Sequence, residues 1–100
     1  MYISDFVDCI KKIINKDIKY GQIFNVGYGK PIQIKKTIDM INKKIKTGEP
    51  IFNKIKMRKE EQKTIYPNIQ KIKKILNWKP KTKFNVGISK TIEFYKKNII

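Results

Sequence analysis

Apolar positions recur in this chain first at helical spacing and then in shorter runs, and the changes of spacing mark out a series of elements. Phe6, Val7, Ile10, Ile13 and Ile14 keep the i, i+3, i+4, i+7 spacing of one buried face, which predicts a helix over Asp5 to Asn15. Asp5 is placed to cap that helix, and Asp8 adds negative charge to its first turn. A turn at Tyr20-Gly21 leads into the run Ile23-Phe24-Asn25-Val26, closed by Gly27-Tyr28-Gly29. Such a run, short and apolar on both faces after a helix, predicts a strand of a buried parallel sheet. No run of comparable character occurs elsewhere, so the expectation is an edge strand whose sheet lies outside these residues.

Beyond Pro31 the helical period returns. Ile34, Ile38, Ile41 and Ile45 predict a second helix over Gln33 to Lys46, with Gly48 as its C′ residue and Pro50 blocking continuation. Lys54 to Arg58 alternates instead, placing Ile55 and Met57 inward and Lys54, Lys56 and Arg58 outward as in a half-buried strand. Pro67 disfavours helix at Tyr66, Asn68 is a good N-cap, and Ile69, Ile72, Ile75 and Leu76 form the stripe of a third helix ending at Trp78-Lys79-Pro80. The last helix follows Phe84, with Asn85 as cap and Ile88, Ile92 and Tyr95 on one face. The predicted order is helix, strand, helix, strand, helix, helix.

A length of 100 residues allows one small domain, and 40% hydrophobic residues suffice to fold it. No run approaches the length of a membrane span, and no signal-peptide core is present, so a cytoplasmic address and no membrane partner are expected. Cys9 lies in the first apolar stripe and reads as a packed thiol. With no histidine, neither a zinc cluster nor a Ser-His-Asp relay is expected, and no metal site is assigned.

A net charge of +16 invites a nucleic-acid reading. The cations are nevertheless lysines except Arg58, isoleucine is abundant, leucine occurs once and alanine not at all. Lys, Ile and Asn are the residues of AT-rich codons, and the helical lysines fall on polar faces. The charge therefore reads as solvated surface, with a small basic nucleic-acid-binding protein as the rival.

Chemistry-bearing motifs are few. Gly27-Tyr28-Gly29-Lys30 lacks both Gly-x-Gly-x-x-Gly spacing and a Gly-Lys-Ser/Thr ending, so it reads as a strand-exit turn rather than a phosphate cradle. Glu60 and Glu61 are adjacent and diverge on an extended chain, which is wrong for an acid–base pair. None of the five tyrosines has a lysine four residues later. Arg58 stands out as the sole arginine, since a guanidinium fork grips phosphate bidentately and lysine does not. Glu61 could accept hydrogen bonds from ribose hydroxyls, or could simply pair with Arg58; spacing leaves both open.

Several segments match one family in order: Tyr2 through Asp8, Ile23 through Pro31, Arg58-x-x-Glu61, Tyr66-Pro67-Asn68 through Trp78-Lys79-Pro80, and Gly87 through Tyr95. Together they resemble the C-terminal third of an NAD-dependent epimerase/dehydratase, of the extended short-chain dehydrogenase/reductase family acting on nucleotide sugars. The resemblance implies an α/β fold. Residues 1–31 would be the last helix and edge strand of a Rossmann-type parallel sheet, and residues 32–100 a small α/β nucleotide-sugar-binding lobe. By position, Arg58 would hold the diphosphate, Glu61 the nucleotide ribose, and Tyr66 would lie near the same pocket. The family uses NAD(P) and a Tyr-x-x-x-Lys pair with a nearby Ser or Thr, and the region carrying these is absent here. The expectation is thus a C-terminal part that binds a nucleotide sugar, holds no cofactor, carries no catalytic residue and is inactive alone. The alternative is one half of a split enzyme completed by a separately encoded Rossmann chain.

Overall fold

The computed structural model describes residues 1–99 and contains four helices: α1 (Ile3–Asn15), α2 (Ile34–Ile45), α3 (Gln70–Leu76) and α4 (Phe84–Asn98). Among the described residues there is no strand and no sheet, so the expected α/β fold with a Rossmann-type parallel sheet is overturned. The physical reason is that strand is a property of pairing, and neither predicted strand finds a partner. Ile23-Phe24-Asn25-Val26 is held by side chains instead. Lys71 Nζ donates to the Ile23 carbonyl at 2.8 Å, its ammonium lies 5.1 Å from the Phe24 ring centroid, and the Asn25 amide donates to the Asn68 carbonyl at 3.4 Å. Lys54 to Arg58 is exposed at every position and forms no ladder.

The core gathers on α3. Ile69, Ile72 and Leu76 are buried with Cys9 and Trp78, while Ile13, Ile18, Phe24, Val26 and Ile75 pack partly against them. Burying each of these isoleucine and leucine side chains stabilises the fold by about 1.5–3 kcal/mol. Asn68 Oδ1 accepts the Gln70 N–H at 3.0 Å, at the end where the sequence predicts a cap. At the other end Asn77 adopts the left-handed conformation at φ 50°, a C-terminal position that asparagine tolerates well. Lys12 donates to the Asn77 carbonyl at 3.1 Å and Lys16 to that of Ile75, so one lysine in the last turn of α1 and one just beyond its end satisfy the exposed carbonyl end of α3.

Helix α1 turns a different face inward from the one its pattern predicts. Asp5 and Cys9 are buried, whereas Ile3, Phe6, Val7, Ile10 and Ile14 are exposed. Its apolar arc is wide, and α3, only seven residues and about 10 Å long, covers part of it. Asp5 does not act as a cap. Its carboxylate accepts the Thr82 N–H at 3.0 Å and the Thr82 hydroxyl at 3.1 Å, and its carbonyl accepts Trp78 Nε1–H at 3.0 Å. This tie fastens the segment between α3 and α4 onto the start of α1.

Helix α2 packs on α4, with Lys44 Nζ donating to Ser89 Oγ at 2.7 Å, and it buries no residue completely. Lys46 (φ 62°) rather than Gly48 takes the left-handed position that ends it. Helix α4 begins one residue before Asn85, which lies within its first turn rather than capping it. Gly87 is buried where α4 meets Tyr2, whose Cβ would lie 3.2 Å from any Cβ added there. The molecule is flat, 49 × 39 × 19 Å. Among the described residues no helix is long and apolar enough to cross a membrane.

Candidate functional site

Arg58, Glu61 and Tyr66 all lie on one stretch without helix or strand, residues 51–66, exposed at every position. Two features keep this stretch open: lysines at 54, 56, 59 and 63, and the absence of any buried side chain to anchor it. Phe52 lies at its start, where the Lys35 ammonium of α2 sits 5.4 Å from the ring centroid.

The structure brings Arg58 and Glu61 together through the backbone. Glu61 N–H donates to the Arg58 carbonyl at 3.1 Å, and the Arg58 N–H donates to Glu61 Oε2 at 3.2 Å. The pair is a tight reciprocal turn, and the surface ion pair between guanidinium and carboxylate does not form. Among the described residues the one ion pair joins Glu93 and Lys97 on α4, at 3.0 Å. The guanidinium is thereby left on an exposed turn whose geometry is fixed by its own backbone. Glu61 uses one carboxylate oxygen internally.

Tyr66 is half exposed, at 52%, and its hydroxyl makes no hydrogen bond among the described residues. Its neighbour Pro67 lies against Gly27 so closely that a Cβ at Gly27 would collide with the proline ring. Gly29, at φ +78°, stands over Ile69, whose Cδ1 would be 2.7 Å from an added Cβ. The loop Gly27-Tyr28-Gly29 is thus a packing turn seated on the residues that lead into α3. Both glycines are needed by close protein approach, and Gly29 by its backbone as well.

Clefts lie elsewhere. An apolar one of about 420 Å³ opens between the start of α1 and α4, lined by Tyr2, Tyr28, Phe84, Phe94 and Tyr95 among others. Another, of about 580 Å³, is lined chiefly by lysines from α1, α3 and the segment after Trp78. Neither includes Arg58, Glu61 or Tyr66. Sequence reasoning missed the aromatic cleft and the Asp5–Thr82–Trp78 tie. Its only signal was Gly87, a glycine inside an apolar-patterned helix, which marks close approach.

Cys9 is fully buried, and burial pushes its thiol above the ordinary value of 9.0, so it is a packing residue and not a nucleophile. Among the described residues no group of three or more His, Cys, Asp or Glu is placed to hold a metal.

Comparison with known proteins adds a further set of observations. The family model for GDP-mannose 4,6 dehydratase matches residues 1–91. An uncharacterized protein of Methanocaldococcus jannaschii is 33% identical over 98 residues, covering 97% of this chain and 29% of its own length. A UDP-glucuronate 4-epimerase of Thermodesulfobacterium geofontis is 34% identical over 81 residues, covering 78% of this chain and 24% of its own. The chain therefore spans less than a third of the length of these curated relatives. No solved structure matches it significantly.

Proposed function

Because the chain belongs to the GDP-mannose 4,6 dehydratase family of NAD-dependent epimerases and dehydratases, we propose that it supplies the grip on the nucleotide end of a sugar nucleotide. The observation that carries this reading is the Arg58–Glu61 turn. It holds a guanidinium in the open without spending it on the neighbouring carboxylate. A planar fork so placed suits a diphosphate, which it can bind through two parallel hydrogen bonds. Glu61 lies one turn away, within reach of a ribose hydroxyl, and Tyr66 borders the same stretch.

In this reading the cofactor and the proton-transfer groups come from outside the 100 residues. The packing of Gly27 against Pro67 and of Gly29 against Ile69 supports this, since it gives the Gly-x-Gly turn a packing role rather than that of a dinucleotide cradle. Isothermal titration of the purified chain with UDP and GDP tests the grip. At least one nucleotide is expected to bind, and Arg58→Ala to weaken it roughly 10- to 100-fold, as loss of a charge-assisted pair does. Arg58→Lys should recover only part of the loss, because lysine restores charge and not the fork. Equal binding by wild type and Arg58→Ala would refute the assignment.

A specific observation favours a second reading, that the chain works with a separately encoded Rossmann half. Ile3, Val7, Ile10 and Ile14 form an exposed stripe along α1, with Phe6 beside it, on a molecule only 19 Å thick. Such a stripe fits the aliphatic face of a sheet. Co-expression with a candidate Rossmann chain is expected to give a co-purifying pair that Ile10→Lys disrupts. Since Ile10 is exposed, that change should leave the unfolding free energy of the isolated chain, from urea titration, within about 0.5 kcal/mol of wild type. A pair that survives Ile10→Lys would remove α1 from the interface.

A further inference from the structure

Part of the +16 charge is gathered in one place. Lys11, Lys12, Lys73, Lys79 and Lys81 line the cleft of about 580 Å³, with Asp8 the one carboxylate among them. Three elements bring these side chains together. Asp8, Lys11 and Lys12 share one side of α1 through their i, i+3, i+4 spacing, Lys73 stands on α3, and Lys79 and Lys81 flank Pro80. The segment carrying the last two is pinned at both ends to Asp5. Trp78 Nε1–H donates to the Asp5 carbonyl at 3.0 Å, and the Thr82 N–H to its carboxylate at 3.0 Å. On the facing side Lys12 joins α1 to the end of α3 through the Asn77 carbonyl, at 3.1 Å. The walls are thus fixed by contacts that leave Lys11, Lys73, Lys79 and Lys81 unused. All four are exposed, and among the described residues none of them pairs with a carboxylate.

We propose that this cleft is a binding site for a compact oligophosphate anion, a chain of two or three phosphates bridging Lys11 and Lys73 to Lys79 and Lys81. It lies apart from the Arg58–Glu61 turn and does not depend on the reading of that turn. Like charges set around a concavity focus a positive potential that lysines scattered over a convex face do not. An anion with charge on several centres answers ammoniums arriving from three elements, each of which offers three donors to phosphate oxygens. Because the walls are already held, binding orders little beyond the lysine side chains themselves. The lining also speaks against a nucleic-acid strand. Trp78, its one aromatic residue, is 2% exposed, so no ring is free for a base to stack on.

Isothermal titration of the full chain with inorganic triphosphate at low salt tests this. One-site saturation is expected, weakening as salt rises because the cleft is open to solvent. The double change Lys79→Ala and Lys81→Ala should weaken binding about 10-fold, and Asp8→Asn should tighten it about 2-fold. The exposure of Lys79 and Lys81 means that the double variant keeps its urea midpoint, and a gain in Asp8→Asn cannot come from misfolding. Lys43→Ala with Lys96→Ala removes the same charge from α2 and α4, and should stay within about 2-fold of wild type, as should Arg58→Ala. A loss in either control equal to that of the cleft pair overturns the site, because net charge or the Arg58 turn would then hold the anion. Absence of triphosphate binding, a cleft pair that binds like wild type, or an Asp8→Asn chain that gains nothing overturns it too. An oligothymidylate that outbinds triphosphate and loses its affinity in the cleft pair would make the cleft a nucleic-acid track instead.

Discussion

Trp78→Ala is expected to leave the chain largely unfolded at 25 °C. Trp78 is 2% exposed and is the largest fully buried side chain, and its removal costs about 3–5 kcal/mol in transfer and cavity terms. A domain of this length is stabilised by only about 5–15 kcal/mol, and a core of five buried apolar residues places this one at the low end. The indole also donates to the Asp5 carbonyl, so its loss frees the segment carrying Thr82. Far-UV circular dichroism against urea reads the effect without relying on tryptophan emission. Trp78→Phe is the matched control: it keeps most of the bulk, drops the N–H, and should cost only about 1–2 kcal/mol. A Trp78→Ala chain with a wild-type midpoint would show that the core is held from elsewhere.

Gly29→Val should be the next most damaging single change, at about 3 kcal/mol. Two costs add. A non-glycine residue at φ +78° pays about 1–2 kcal/mol, more when β-branched, and the new side chain drives into Ile69. Ile69 opens α3 and stands three residues after Tyr66, so the disturbance runs from the core toward the nucleotide grip. Gly48 separates the two costs. Its φ is +84° but an added Cβ meets nothing within 4 Å, so Gly48→Val should show the backbone cost alone. Urea midpoints of the two variants, measured side by side, give the packing part by difference. Equal midpoints would mean that Ile69 moves aside freely.

Helix content was legible in the chain because an apolar period of 3.6 reports on a single segment. The stripe Ile69, Ile72 and Leu76, the exit at Trp78 and the packed Cys9 all appear where the spacing puts them. The two predicted strands do not form among the described residues, because an extended apolar run states a preference and leaves the partner unnamed. For Ile23 to Val26 the partner turned out to be Lys71 and Asn68, a side-chain arrangement without periodicity. Helix α1 shows another limit. Seven apolar positions define a wide arc, and the short α3 covers Cys9 rather than Ile10. Of the candidate site, the closeness of Arg58 and Glu61 followed from their spacing. That backbone rather than charge would join them did not, since both arrangements use the same three-residue separation.

The tie between Asp5 and Thr82 has a consequence for the order in which the molecule is made. Its partners stand 77 positions apart, and Trp78 reaches the same residue across 73. Closing so long a loop costs little more than closing one half its length, so the equilibrium hardly notices the distance. Synthesis does notice it. At about 5–20 residues per second, roughly 4 to 15 s pass between the appearance of Asp5 and that of Thr82. Throughout that interval α1 has neither the core face nor the carboxylate partner that fix it, and its aliphatic side is open to whatever the ribosome surface or a chaperone presents. Slowing translation through the lysine-rich middle should therefore lower the soluble yield of this protein, and a holdase that covers α1 should restore it.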